Sequence, residues 1–158
     1  MCAGGIEGSI VLTQAALEMV AWHLLIEDKK ICSVSGFRNL PAEDKIRLLL
    51  NYCGIPFSIP QSLPDLIAEG LAFNWDGPLA ITQIRNALVH GQPKPLETEL
   101  NRDHSARHDT WCLGLWYLEL ALLKLFGFEG KYFNRVKRES YSFACVDTVP
   151  WAISNAAR

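Results

Sequence analysis

The segment Ile84-Arg85-Asn86-Ala87-Leu88-Val89-His90-Gly91 brings three chemically useful side chains to one helix terminus. Asn86 and His90 are four residues apart, which sets them on one helical face. Arg85 leans to the neighbouring face, from which its long side chain can swing across. Gly91 lets the backbone turn away after His90. A guanidinium clamps phosphate through two parallel hydrogen bonds. An imidazole titrates near neutral pH and moves protons. An amide orients the imidazole or holds a phosphate oxygen. Together these groups make a kit for breaking an RNA phosphodiester without metal. The spacing also fits a plainer arrangement, with Arg85 and His90 on the surface and Asn86 as a helix-end cap.

Two further clusters could carry chemistry. In Asp103-His104-Ser105-Ala106-Arg107-His108-Asp109, His104 and His108 lie four apart, a geometry that can chelate a metal. Ser105 stands where a zinc protease needs its glutamate. A polar helix face, or a supporting place beside His90, fits the cluster better, and no metal or other cofactor is expected. The octet Lys131-Tyr132-Phe133-Asn134-Arg135-Val136-Lys137-Arg138 has four basic residues, no acid and interleaved aromatics. Cations hold phosphates and aromatic faces stack unpaired bases. Lys131, Tyr132, Arg135, Lys137 and Arg138 therefore mark a candidate RNA path. The alternative is a tail whose aromatics pack on the fold while its cations stay in water.

These residues need a scaffold, and the pattern around them is helical. Residues 9–30 are apolar on two faces, with Ser9 as a possible cap, and suit a central or interface helix. Residues 31–40 read as a loop. Pro41, Glu43 and Asp44 open a helix that Gly54 stops. Ser62-Leu63-Pro64-Asp65 resembles a capping box before a short helix ending near Phe73. Asp76 caps a helix from Gly77 to His90, and Gly91, Pro93 and Pro95 forbid its continuation. A long helix spans about Glu97 to Phe126. The aromatic stripe of Trp111, Trp116, Tyr117 and Phe126 on it reads as core packing. The remaining tail reads as a docked irregular segment with room for one short helix or strand. The expectation is all-α: one up-and-down bundle of about five helices over residues 1–158. The glycine-rich start is compatible with excision from a longer protein.

Composition sets outer limits. The 158 residues suit one domain, and 49% hydrophobic with 20% charged residues is an ordinary globular balance. A formal charge of −2 leaves RNA binding to a local patch. No membrane span is expected, because Gln14, Glu18 and His23 interrupt the most apolar stretch. The five scattered cysteines form no CxxC and read as reduced, mostly buried thiols of a cytoplasmic protein. No phosphate loop, nucleophile elbow or paired-carboxylate motif occurs.

An Arg-Asn-x-x-x-His run at a helix end, followed by a breaker in an all-helical domain, resembles the HEPN superfamily. The likeness spans about residues 9–127. More loosely, Trp116 to Leu120, Phe126 to Gly130, Asn134-Arg135 and Val149-Pro150-Trp151 look like the C-terminal HEPN-like region of bacterial proteins linked to phage defence. The resemblance implies a helical bundle that dimerises so that two motifs face one cleft. It implies a metal-independent endoribonuclease acting on single-stranded RNA, in toxin or anti-phage defence, with Arg85, Asn86 and His90 as its catalytic residues. It also implies a polar residue from the first helix: Glu18 is the best-placed match, with His23 second. Glu18 can equally be a carboxylate paired to an arginine. Other HEPN relatives are non-catalytic dimerisation or RNA-binding modules of larger defence proteins, so this function stays open beside the first. The partners expected are RNA, a second copy, and an antitoxin or fused domain. The homodimer would set the Gly77–His90 helix against its mate, with Ile81, Leu88 and Trp75 as anchors.

Overall fold

The computed structural model describes residues 5–90, 104–137 and 142–155. The fold is all-α. Helix α1 spans Ile6–Trp22 and continues as a π-helical turn, His23–Asp28. Then come α2 (Val34–Arg38), α3 (Ala42–Cys53), α4 (Pro64–Phe73), α5 (Gly77–His90) and α6 (His104–Leu125). Strands β1 (Lys131–Phe133) and β2 (Val146–Thr148) precede α7 (Pro150–Asn155).

Local punctuation is observed where it was expected at two helices. Gly54 follows α3 in the left-handed region, at φ +69°, where a side chain would be strained. Asp76 caps α5 by accepting a hydrogen bond from the Leu79 N–H at 2.9 Å. Three other helix starts differ. Pro41 precedes α3 rather than lying in its first turn. Ser9 lies inside α1, because Ile6 packs on the core and Glu7 pairs with Arg107, extending the helix backwards. Ser62 caps nothing: Leu63 precedes α4, and the Leu66 N–H finds the Asp109 carboxylate, 3.4 Å away.

Residues 31–40 are not simply a loop. Ser33 accepts from the Gly36 N–H at 3.0 Å, and burial of Phe37 against Trp22 gives α2 its reason to form. The count of seven helices among the described residues exceeds five because α2 and α7 are short additions. The beginning of the expected long helix, residues 97–103, lies outside the described residues, as do Gly91, Pro93 and Pro95.

Helix α6 is the hub, packing against α1, α3, α4 and α5. Leu113, Tyr117 and Leu120 are fully buried there with Ile10, Leu17, Ile46, Leu49 and Leu50. Gly114 lets α1 approach closely: a Cβ there would stand 3.0 Å from Thr13 Cγ2, with Ile81 of α5 on the same spot. Gly77 lies against the Tyr117 hydroxyl, and Glu7 against Arg107. These contacts order the bundle. Helices α1 and α6 run parallel, and α5 runs opposite to both. Helix α1 with its π turn is long and apolar enough to cross a membrane by length and composition. Here it packs against α3, α5 and α6 as part of the bundle's core.

The tail is more regular than expected. Strands β1 and β2 pair antiparallel, with Tyr132 opposite Asp147. Asn134 is buried and donates to Asp147 Oδ2 at 2.6 Å, while its own carbonyl accepts from the Val136 N–H. Val136, Val149 and Trp151 join the bundle's core, and the Trp151 indole donates to the Phe128 carbonyl at 2.7 Å. Cys53 and Cys145 are buried thiols, and burial pushes Cys53 up to about 11.

Candidate functional site

Ile84, fully buried, fixes the rotation of the last turns of α5. That rotation leaves Arg85 and Asn86 half-buried and His90 exposed. The Arg85 Nη1 donates to Asn86 Oδ1 at 3.1 Å. A guanidinium and an amide are thereby in contact one turn before His90. The terminus of α5 thus presents a cation, an amide and an imidazole to solvent.

Helix register tells what else lies at this end. Gly114 meets both Thr13 and Ile81, so these three residues share one level. His90 lies nine residues beyond Ile81, level with the start of α6 and of α1. The Glu7–Arg107 pair, at 2.9 Å, is at that end. So is His108, its ring edge-on to Trp111 and 3.7 Å from Cys112 Sγ. The His104 side chain lies outside the described ones. No group of three or more His, Cys, Asp or Glu residues that could hold a metal occurs among the described residues.

Glu18 is not brought to this site. It lies on the other side of the Thr13–Ile81 level, about 20 Å from His90 along the helix axes at ~1.5 Å per residue. Its carboxylate accepts from Gln14 at 3.1 Å and faces Lys45 at 3.4 Å, a lysine rather than an arginine. His23 is exposed and pairs with Glu27 at 2.9 Å. The Trp22 indole also donates to Glu27, and the His23 contact is the larger reason that this carboxyl is held below its usual range.

The basic strip lies at the opposite end of α6. Arg135 forks onto Glu119, a contact that raises the guanidinium above its ordinary value. Lys137 pairs with Asp147 at 2.5 Å. The Tyr132 hydroxyl accepts from the Trp116 indole at 3.0 Å, and burial pushes this phenol up. Lys131 is exposed, and Arg138 lies outside the described residues. Leu122, Leu123, Phe126, Tyr132 and Phe133 line a groove of about 490 Å³ beside the Arg135–Glu119 pair. The groove and the α5 terminus are about 25 Å apart along α6. Of the nominated interface anchors, Ile81 is wholly inside the protomer's own core, and Trp75 is stacked on Phe73. Leu88 is partly buried against that core.

Comparison with known proteins matches residues 2–146 to the YopA C-terminal domain family. The SPbeta prophage-derived uncharacterized protein YopA of Bacillus subtilis (strain 168) is 35% identical over 147 residues, 92% of this chain and 32% of that protein. The chain therefore spans about a third of the length of the curated relative it matches. No solved structure matches it significantly.

Proposed function

The chain belongs to the YopA C-terminal domain family, and from that footing we propose that it is a metal-independent endoribonuclease domain of HEPN type that cleaves single-stranded RNA. The observation that carries this is the Arg85–Asn86 contact, which holds a guanidinium and an amide together one turn before His90. His90 takes the proton of a ribose 2′-hydroxyl or gives one to the departing 5′-oxygen, and solvent water exchanges the other proton. Arg85 stabilises the charge that builds on the phosphoryl oxygens. Asn86 positions the guanidinium. The 2′-oxygen bonds to phosphorus as the 5′-oxygen leaves, so the products are a 2′,3′-cyclic phosphate and a 5′-hydroxyl, with no activated water needed.

The prophage origin of the Bacillus subtilis relative agrees with a place in toxin or anti-phage defence. Its extra length agrees with a fused partner domain. The reading carries a homodimer and a cytoplasmic setting, where RNA substrates occur. Labelled single-stranded RNA incubated with the protein in EDTA tests it. Cyclic-phosphate ends that vanish in His90→Ala support the proposal. Intact RNA at high protein, or cleavage only with added metal, sinks it.

One set of contacts favours a non-catalytic dimerisation or RNA-binding module instead. Glu18 is engaged by Lys45 far from His90, and Arg135 and Lys137 are already paired. RNA affinity and cell toxicity that His90→Ala leaves unchanged would support that module.

A further inference from the structure

Helix α1 is used twice. Ile10, Leu17 and Ala21 are buried in the protomer's core. On the other side, Gly8, Leu12, Ala15, Met19 and Trp22 follow the four–three–four–three spacing of a coiled-coil seam. Its middle, Leu12 to Met19, is uncovered, while Trp22 at its end is partly buried against Phe37. Leu12 and Met19 are each 72% exposed, and Ala15 is exposed with them. A Cβ placed on Gly8 would meet nothing within 4 Å. Two large unbranched or γ-branched side chains thus alternate with two of the smallest residues.

We propose that this seam is a docking surface for a second copy of the chain, with the two α1 helices antiparallel. The alternation selects that occupant and that direction. In an antiparallel pair centred between Leu12 and Ala15, each Leu12 lies over its partner's Ala15. Each Met19 lies over its partner's Gly8, so large fills small at all four contacts. A parallel pair would oppose Leu12 to Leu12 and Ala15 to Ala15, leaving gaps that cost dispersion energy. Charge agrees. The seam has no ionised residue, so its partner surface must be neutral, and the same stripe on another copy is neutral. At the flanks Glu18 faces the partner's Val11, Ser9 faces the partner's Ala16, and no like charges meet. Area sets the strength: two helices touching over about four turns bury roughly 700 Å² in total, below the ~1,200 Å² of stable interfaces. The dimer is therefore weak and concentration-dependent.

The surface does not rest on the RNA-cleavage reading and holds whether or not His90 is catalytic. Its register sets the two α5 termini about 25 Å apart along the α1 axis. Each motif would then work alone, unlike the shared cleft expected from the resemblance.

Sedimentation velocity of the full chain from about 1 to 200 μM tests the proposal. A shift from monomer toward dimer across that range is expected. Leu12→Glu and Met19→Glu should each hold the protein monomeric with an unchanged helical circular-dichroism spectrum, since both positions face water. A monomer throughout for the unaltered chain overturns the proposal, as does a dimer that both glutamate variants leave intact. Direction is read by mixing Leu12→Cys protein with Ala15→Cys protein under mild oxidation and identifying the linked peptides. A 12–15 link is expected. Self-linking of Ala15→Cys without the 12–15 link overturns the antiparallel arrangement.

Discussion

Arg47 grips Asp76 with two hydrogen bonds, Nε to Oδ2 at 2.7 Å and Nη2 to Oδ1 at 2.9 Å, while the same carboxylate caps α5. One side chain thus ends the loop after α4, starts the helix that carries the candidate motif, and ties that helix to α3. Replacing Asp76 with Ala should cost about 2–3 kcal/mol: ~1 for the cap and the rest for the charge-assisted bonds. Asp76→Asn should cost less, since an amide oxygen still caps. Urea unfolding of both variants checks the ranking.

Gly77 and Tyr117 make a second close pair. A Cβ at residue 77 would overlap the phenolic oxygen, which is buried without a hydrogen-bond partner among the described residues. Gly77→Ala should destabilise by roughly 1–3 kcal/mol. Tyr117→Phe alone should be neutral or stabilising, because it removes a buried hydroxyl that gains nothing. The double variant should recover part of the loss, and a double-mutant cycle measures the coupling.

Asp147 gives the tail a pH dependence. Burial pushes its carboxyl up, but hydrogen bonds from Asn134 and Lys137 outweigh this and hold it below its usual value. Its folded pKa is therefore depressed. The stability it contributes is present above the ordinary carboxylate range, near ~4, and is lost as pH falls through the lower folded value. Unfolding followed by tryptophan fluorescence should show that loss, and Asp147→Asn should flatten it.

If the α5 terminus cleaves RNA, His90→Ala should lower the rate by about 10²–10⁴-fold, the usual size of a general acid–base contribution. Arg85→Lys should keep part of the activity, since the charge stays while the planar fork is lost. Single-turnover rates in EDTA separate the two.

The Arg135–Glu119 pair offers a test of the basic strip. Glu119→Gln leaves the guanidinium without its carboxylate partner. Were the strip an RNA path, affinity should rise a few-fold and the salt dependence should steepen by close to one ion. Unchanged binding in a salt titration would read the strip as packing of the tail.

Much of the fold was legible because its signals are local. Asp76 ahead of Gly77, and Gly54 after an apolar stripe, act within four residues of themselves. Ser33 and Ser62 show where such reading stops. Both precede helical runs, yet only Ser33 caps one, because α4 takes its acceptor from Asp109, 43 residues away. The candidate site was legible in the same way and to the same depth. Spacing places Asn86 and His90 on one face, and the Arg85 contact was within reach of a side chain's length. Glu18 was misplaced because periodicity reports which face a residue occupies and not its height. Height is set by Gly114 against Thr13 and by Arg107 against Glu7, contacts between distant parts of the chain.

The π turn at His23–Asp28 fixes how far the uncovered stripe of α1 can run. A seventh-residue repeat would bring Ile26 onto the stripe after Met19. The wider turn changes the helix's phase instead, and Leu24, Leu25 and Ile26 all enter the core. Within the π turn itself no apolar side chain is left facing outward for a third molecule to continue along. The stripe is thus finite at that end, and a chain that sticks to its twin through it closes as a pair and does not grow into a filament.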